Sequence, residues 1–593
     1  MMERSSEAYK IPFLVGVVGH RDLVAGELAQ IRAAVAKLLA RLKQAYPDVT
    51  PTLLTSLAEG ADLIAAEVAA ELGIAVTAVL PMPADVCRAD LTTDEARASF
   101  DRIIARSERL EVAKAPANPD MAGDTTRVRR DLQFQRAGML VARYSTLLIV
   151  IWDGRETDHR AGTARVVEYR RRGLAANGDD DQPGGSALLS IQDNDLIYEI
   201  RCSRHANGNA NGDGSASAPN GVEVRGFTGA GAASREDIPE SLATVLGRLA
   251  EFNRDVDEFA ESIEKKGRRL SLPSPTPLPE KVAYLDRLFR AADWLGGYYR
   301  GSFTLALRTR YTLWALMAFL LVSFKKESAG VVGTVTILGV LAVFAIGYVF
   351  ARWAHRSSWH RKYLDYRALA EGLRVEFYWE IAGVHALVDG GFAHESFLQK
   401  QDVELEWIRT AMRAVSLRLA VANGGRLPGG YEQAYAGWVG DADPVNGSGQ
   451  LLYYRQRIDA FENRLHLTER VGLGLLFAGL GLAVIFGLEM LLRRGEVEIL
   501  PQGARSLMLW GLALLPVYAV IFETYVSDKA DRALIREYRY MYSLFGLAAR
   551  ELRIADSEHR KLEILRSLGY ACLSEHAQWI LGHRDKRIEG LRW

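Results

Sequence analysis

Apolar positions follow two different rules along this chain. From residue 329 to 350, AGVVGTVTILGVLAVFAIGYVF, 22 positions pass without a charged side chain. About 20 apolar residues are what an α-helix needs to cross the hydrocarbon core of a bilayer. A soluble helix of that length would show a polar face, whereas this stretch offers two threonines and a tyrosine. Residues 311–324, 471–492 and 507–526 are also strongly apolar, so the pattern predicts four transmembrane helices in two hairpins. The first span is short, and it takes in residues 303–307 with Arg308 and Arg310 snorkelling at the interface.

Ahead of the spans the rule changes to short apolar runs alternating with amphipathic stretches. Strands are predicted at 13–18, 52–55, 74–80, 110–113 and 146–152, with helices near 24–46, 56–72, 126–145 and 162–172. Apolar runs of this kind, buried on both faces, describe an α/β doubly wound parallel sheet of Rossmann-like form. Residues 175–220 have the Gly, Asn, Asp and Ser content of a disordered insertion, interrupted by an edge strand at 196–202 beside which 222–224 returns. A helical stretch at 238–265 and a stiff Pro-rich linker at 272–279 lead to a helix at 280–309.

Past the second span, 363–379 reads as an amphipathic helix joined to a helical stretch at 394–421, followed by a Gly-rich connection at 422–449. Residues 453–467 enter the third span; after the fourth, 529–568 reads as one helix of about eleven turns, with a further helix at 569–583. The predicted units are 1–235, the sheet domain; 236–302, a linker; 303–352, the first hairpin; 353–450, cytoplasmic helices; and 451–593, the second hairpin with its C-terminal helices. Helix, hairpin and long helix occur twice, as an internal repeat would place them.

Charge and cysteines narrow the partners. Lys plus Arg and Asp plus Glu both number 73, so no basic excess points to a nucleic-acid polymer. Three scattered cysteines, Cys87, Cys202 and Cys572, have no metal-ligand spacing and fit a reducing compartment. No signal peptide is expected, because the first apolar run leads into Gly19-His20-Arg21-Asp22 instead of a cleavage site. Basic residues from Arg308 and Arg310 to Arg532 and Arg536 put both termini in the cytoplasm, against the opposing Lys325, Lys326, Arg493, Arg494 and Arg505 of the two turns.

Candidate chemistry collects after the strands, where doubly wound sheets bind ligands. Gly19, His20 and Arg21 follow the first strand; Ser56, Glu59 and Gly60 the second; Asp153, Gly154, Gly162 and Thr163 the strand at 146–152. Glycines admit a phosphate to the backbone, helix N-termini offer free N–H groups, and Arg21 adds a fixed cation. Together they describe a nucleotide or phosphate cradle. Each one alone also fits a tight turn or an ordinary cap.

The blocks VGVVGHRDL, SLAEGADLIAAEVA, FQRAGMLVARYSTLLIVIWDG and AGTARVVEY resemble the SLOG family, Rossmann-like domains related to the LOG nucleotide phosphoribohydrolases and to the DNA-processing protein DprA. The resemblance covers about residues 11–230 and implies that a nucleotide-derived ligand, such as a cyclic nucleotide or an ADP-ribose derivative, binds at the residues just named. It does not imply catalysis. The LOG signature PGGxGTxxE keeps Gly162-Thr163 here, but Asp158-His159-Arg160 replaces its first half and Val166 stands where its glutamate belongs, with Glu168 two residues on. No catalytic residue is therefore assigned, and no cofactor.

Residues 454–593, with the block GYACLSEHAQWILGHRDKRIE, resemble the SLATT family of paired-span domains associated with SLOG proteins and bacterial conflict systems. That resemblance implies an oligomeric pore-forming or membrane-damaging effector of antiviral defence in the bacterial inner membrane. Its partners would be lipid, a small nucleotide and further copies of the chain. Glu489 and Glu523 are candidates for a cation-attracting ring, the alternative being an interfacial Glu489 paired with Arg493. Gly479, Ala483 and Gly487 make a smooth packing face. The cluster Glu575, His576, Trp579 and His583 reads as helix packing in preference to a metal site. Two other functions stay open at this point: a membrane-anchored nucleotide hydrolase, and a scaffold whose spans recruit a partner.

Overall fold

A computed structural model describes residues 9–112, 125–155, 162–172, 196–204, 221–228, 237–270, 272, 278–324, 330–387, 405–421, 427–492, 501–529 and 531–584. Asp158, His159 and Arg160, most of the Gly- and Asn-rich insertion, the core of the Pro-rich linker and the turn residues Lys325, Lys326, Arg493 and Arg494 lie outside them.

Among the described residues seven strands form one sheet: β1 (Phe13–Gly19), β2 (Pro51–Thr55), β3 (Ala75–Leu80), β4 (Glu108–Glu111), β5 (Leu147–Trp152), β6 (Ile197–Arg201) and β7 (Glu223–Thr228). Their order is β4-β3-β2-β1-β5-β6-β7, parallel throughout except for the β6–β7 pair. β5 (LLIVIW) is buried at every position, as its unbroken apolar run requires in the middle of a covered sheet. The strand expected at the edge, β6, is internal. β7 takes the edge, and there Glu223 and Val224 meet solvent. Helices α1 (Leu28–Ala45), α2 (Ala61–Glu71), α3 (Ala84–Ala89), α4 (Asp94–Ile104), α5 (Thr125–Tyr144) and α6 (Thr163–Arg172) fill the connections, with α2 and α5 packed on β1, β2 and β3.

The helical remainder begins with α7 (Glu240–Lys266), α8 (Glu280–Ser323), α9 (Val331–Arg356), α10 (Trp359–Ala382) and α11 (Glu406–Val421). After α12 (Gly430–Ala434) and a π-helical turn at Tyr435–Val439 come α13 (Gly449–Leu492), α14 (Gln502–Lys529), α15 (Asp531–Ile554) and α16 (Glu558–Arg584). Among the described residues four helices are long and apolar enough to cross a membrane, and their apolar windows are at most 11% buried. So much exposed apolar surface has no favourable home in water. α8 and α13 are each 44 residues long, roughly 66 Å at 1.5 Å per residue. α8 packs on α9 and on α14, where Tyr311 meets Tyr525 and Phe319 meets Trp510, and α13 packs on α14.

Two helices differ from their sequence reading. Instead of showing an amphipathic face, α10 is buried at 16 of its 24 positions, because α8, α11, α12 and α16 surround it. The helix expected to run unbroken over 529–568 is split at residues 555–557, where Ser557 Oγ accepts from Arg560 N at 3.2 Å and starts α16.

Helix α7 fastens sheet to helices. On one side Asn253 bonds the backbone of Ile11 and Asp48, the residues leading into β1 and β2. On the other, Asp255 accepts from Lys362 Nζ at 2.8 Å, while Arg361 reaches Glu251 at 2.6 Å. Phe252 packs against Tyr366 and Trp407. The helical body is thus docked beneath the amino ends of the strands.

Candidate functional site

Sequence order reverses between β1 and β5. The connection from β1 leaves toward β2 and that from β5 toward β6, which opens a crevice at their carboxyl ends, opposite the edge where α7 is docked.

Backbone contacts tie three loops together there. His20 N donates to Ile151 O (2.9 Å) and Ala61 N donates to His20 O (3.1 Å). A Cβ on Gly19 would stand 2.4 Å from Ala61 Cβ and 2.6 Å from Ile151 O; one on Gly60 would stand 2.5 Å from Arg21 O. Gly60 also has a φ of +87°, open to glycine at no steric cost. Both glycines are therefore set by close approach of backbone to backbone.

Side chains complete the crevice. His20 Nε2 lies 3.1 Å from Asp153 Oδ1, which also accepts from Arg155 N. Burial opposes charge on Asp153, but His20 and the Arg155 amide outweigh it and hold the carboxyl below its ordinary range. Arg21 lies over the Phe134 ring at 4.1 Å and reaches Asp90 Oδ2 at 3.3 Å; Arg130 meets the same carboxylate. Gly154, with φ +79°, sits against the Arg201 guanidinium, and Glu199 Oε1 accepts from both Arg201 Nε and Trp152 Nε1.

Not all the predicted residues converge. Ser56 donates to Asp62 Oδ2 at 2.6 Å, inside the first turn of α2, where burial pushes the Asp62 carboxyl up. Glu59 reaches sideways and accepts from Thr92 N (2.8 Å) and Thr92 Oγ1 (2.7 Å), clasping the turn before α4. Gly162 and Thr163 open α6, and no described residue would stand within 4 Å of a Cβ on Gly162. Val166 is 4% exposed and packs under Gly138; Glu168 pairs with Arg165 at 2.6 Å.

The two span glutamates lie apart. Glu489 is buried near the end of α13, with Arg505 Nε at 3.9 Å; Arg493, the partner expected for it, lies outside the described residues. Glu523 is exposed and level with Gly472, 17 residues or roughly 25 Å along α13 from Glu489, so one chain does not bring them into a single ring. Of the small-residue face, Gly479 packs on Leu515 and Pro516 of α14.

Sequence reasoning missed Asp90, Thr92, Arg130 and Phe134. Arg130 and Phe134 carried a signal, since four-residue spacing puts them on one face of α5. Asp90 and Thr92 carried none, because only the fold brings their turn to Glu59 and Arg21. Among the described residues no group of three or more His, Cys, Asp or Glu is placed to hold a metal ion. Comparison of the chain with known protein families, with curated proteins and with solved structures found no match.

Proposed function

We propose that this chain is a membrane effector of bacterial antiviral defence. Its SLOG-like sheet domain takes a nucleotide-derived signal, a cyclic nucleotide or an ADP-ribose derivative, in the β1–β5 crevice. Binding gates an oligomeric pore or membrane-disrupting assembly built from two hairpins, with both termini in the cytoplasm.

The observation that carries this reading is the continuity of α8. Its first half is buried in the helical body that holds the sheet, and the same unbroken helix ends in exposed apolar residues such as Leu305 and Leu321. A shift of the sheet domain therefore has a rigid path to the spans through α7, α10 and α8. Moving such an equilibrium from 1:99 to 99:1 takes roughly 10⁴-fold difference in ligand affinity between the two states.

Ion flux from liposomes containing the full chain, challenged with cyclic nucleotides and ADP-ribose derivatives, tests the reading. Ligand-dependent flux is expected, with loss of binding in Arg21→Ala and Thr163→Val. Release of base or ribose phosphate without flux would instead establish the membrane-anchored hydrolase, and tight liposomes with no ligand bound would sink the sensing half.

A further inference from the structure

A cavity of about 20 Å³ lies where α10, α13, α15 and α16 meet, with room for one water. Four buried polar atoms on its lining side chains have no hydrogen-bond partner among the described residues: Arg367 Nε, Gln450 Oε1, Glu537 Oε2 and His576 Nε2. His576 is only 6% exposed. Buried polar atoms are nearly always satisfied by protein or by ordered water, and a water needs two to four such partners. Four such atoms and the space for one water occur together here.

The surrounding charges single out Glu537. On α10, Arg374 Nη1 donates to both carboxylate oxygens of Glu371 at 2.7 Å, and Arg367 lies over the Trp579 ring. Facing Glu537 are Arg367 and Glu371 from α10 and Glu575 from α16. Tyr454 of α13, Tyr538 of α15, and Cys572 and His576 of α16 also line the cavity. Tyr453 of α13 and Arg300 of α8 act on Tyr538. Glu575 and the Arg374-paired Glu371 thus oppose Arg367 around a third, half-buried carboxyl whose Oε2 is shut off from solvent.

We propose that the cavity is a proton-binding site, in which Glu537 holds the proton, a water bridges it to His576 and Gln450, and proton loss loosens α15 from α10 and α16. α15 follows α14 with a single residue between them, so the change is delivered to the fourth apolar helix. The site goes beyond the nucleotide reading and needs no ligand in the crevice.

Burial, with Glu575 and Glu371, outweighs Arg367 and lifts the Glu537 carboxyl from its ordinary 4.5 to about 7. Burial drives the His576 imidazole down to about 3, so it stays neutral beside the water. The folded chain then holds this proton roughly 300-fold more tightly than an exposed glutamate does. Its contribution to packing is complete below the unfolded value and is lost as pH rises through about 7.

Infrared difference spectra and thermal melts of the full chain in nanodiscs, from about pH 6 to about pH 8, test this. A protonated-carboxyl band with its midpoint near 7 is expected, absent in Glu537→Gln and moved to higher pH in Arg367→Gln. The melting temperature should fall across the same window in the wild type and stay level in Glu537→Gln. A Glu537→Gln chain that keeps the band or the falling melt overturns the proposal. If that variant does not fold, an Arg367→Gln midpoint equal to the wild type overturns it equally.

Discussion

Replacing Asn253 by alanine tests how the sheet is fastened to the helices beneath it. The Asn253 side chain is 1% exposed and makes three bonds. Its Oδ1 accepts from Ile11 N at 3.1 Å, and its Nδ2 donates to Ile11 O at 3.1 Å and to Asp48 O at 2.9 Å. Ile11 is fully buried, so alanine leaves its N–H and C=O without water to replace the amide. At about 1 kcal/mol net per bond, the loss is about 3 kcal/mol. For a unit of roughly 250 residues that lowers the melting temperature by about 6–12 °C. The assay is a thermal melt of the full chain in detergent, with hydrogen exchange read at the Ile11 amide. Asn253→Leu restores volume without the bonds and should be no better than alanine. A melt lowered by less than about 2 °C, or recovery of wild-type stability by leucine, would show that packing and not hydrogen bonding holds this joint.

Gly60→Ala places a methyl 2.5 Å from the Arg21 carbonyl at a φ of +87°, and no side-chain rotation relieves it. It should cost about 1–3 kcal/mol in thermal melts, and nucleotide binding measured by calorimetry should weaken by tenfold or more. Burial opposes charge on Glu59, but bonds from Thr92 and Thr93 outweigh it and hold the carboxyl below its ordinary range. The Glu59 clasp is therefore complete above that range and lost as pH falls through the depressed value, which faster exchange of the Thr92 amide in acid should report. Gly569→Ala puts a Cβ 2.4 Å from Trp379 Cζ2, in an indole already fixed by its bond to Leu565 O. Overpacking there should destabilise the helical body by about 1–3 kcal/mol and shift tryptophan emission; an unchanged melt would mean that α16 moves freely away from α10.

Much of the crevice was legible because its parts are local. Gly19-His20-Arg21, Gly60 and Asp153-Gly154 each follow an apolar run, and a strand's carboxyl end is marked by the residues that stop it. Ser56 and Glu59 belong to the same motif yet turn elsewhere, one to Asp62 and the other to Thr92. A side chain's rotamer is chosen by the partner that arrives from another part of the chain, so motif membership could not tell His20 from Glu59. The polar cavity shows the same limit more strongly, since Arg367, Gln450, Glu537 and His576 are separated by 83, 87 and 39 residues and share no spacing.

The hydrophobic pattern by itself determined the short buried strands, the helices between them and the four apolar helices, because burial on both faces, on one face or in lipid each imposes its own period on consecutive residues. Tertiary structure alone decided that β5 lies beside β1 and so creates the crevice, that β7 and not β6 forms the edge, and that α10 is enclosed on all sides. Only the fold set the helical body beneath the amino ends of the strands. These outcomes depend on which surfaces meet across long stretches of chain, and periodicity records that a face is covered without recording what covers it.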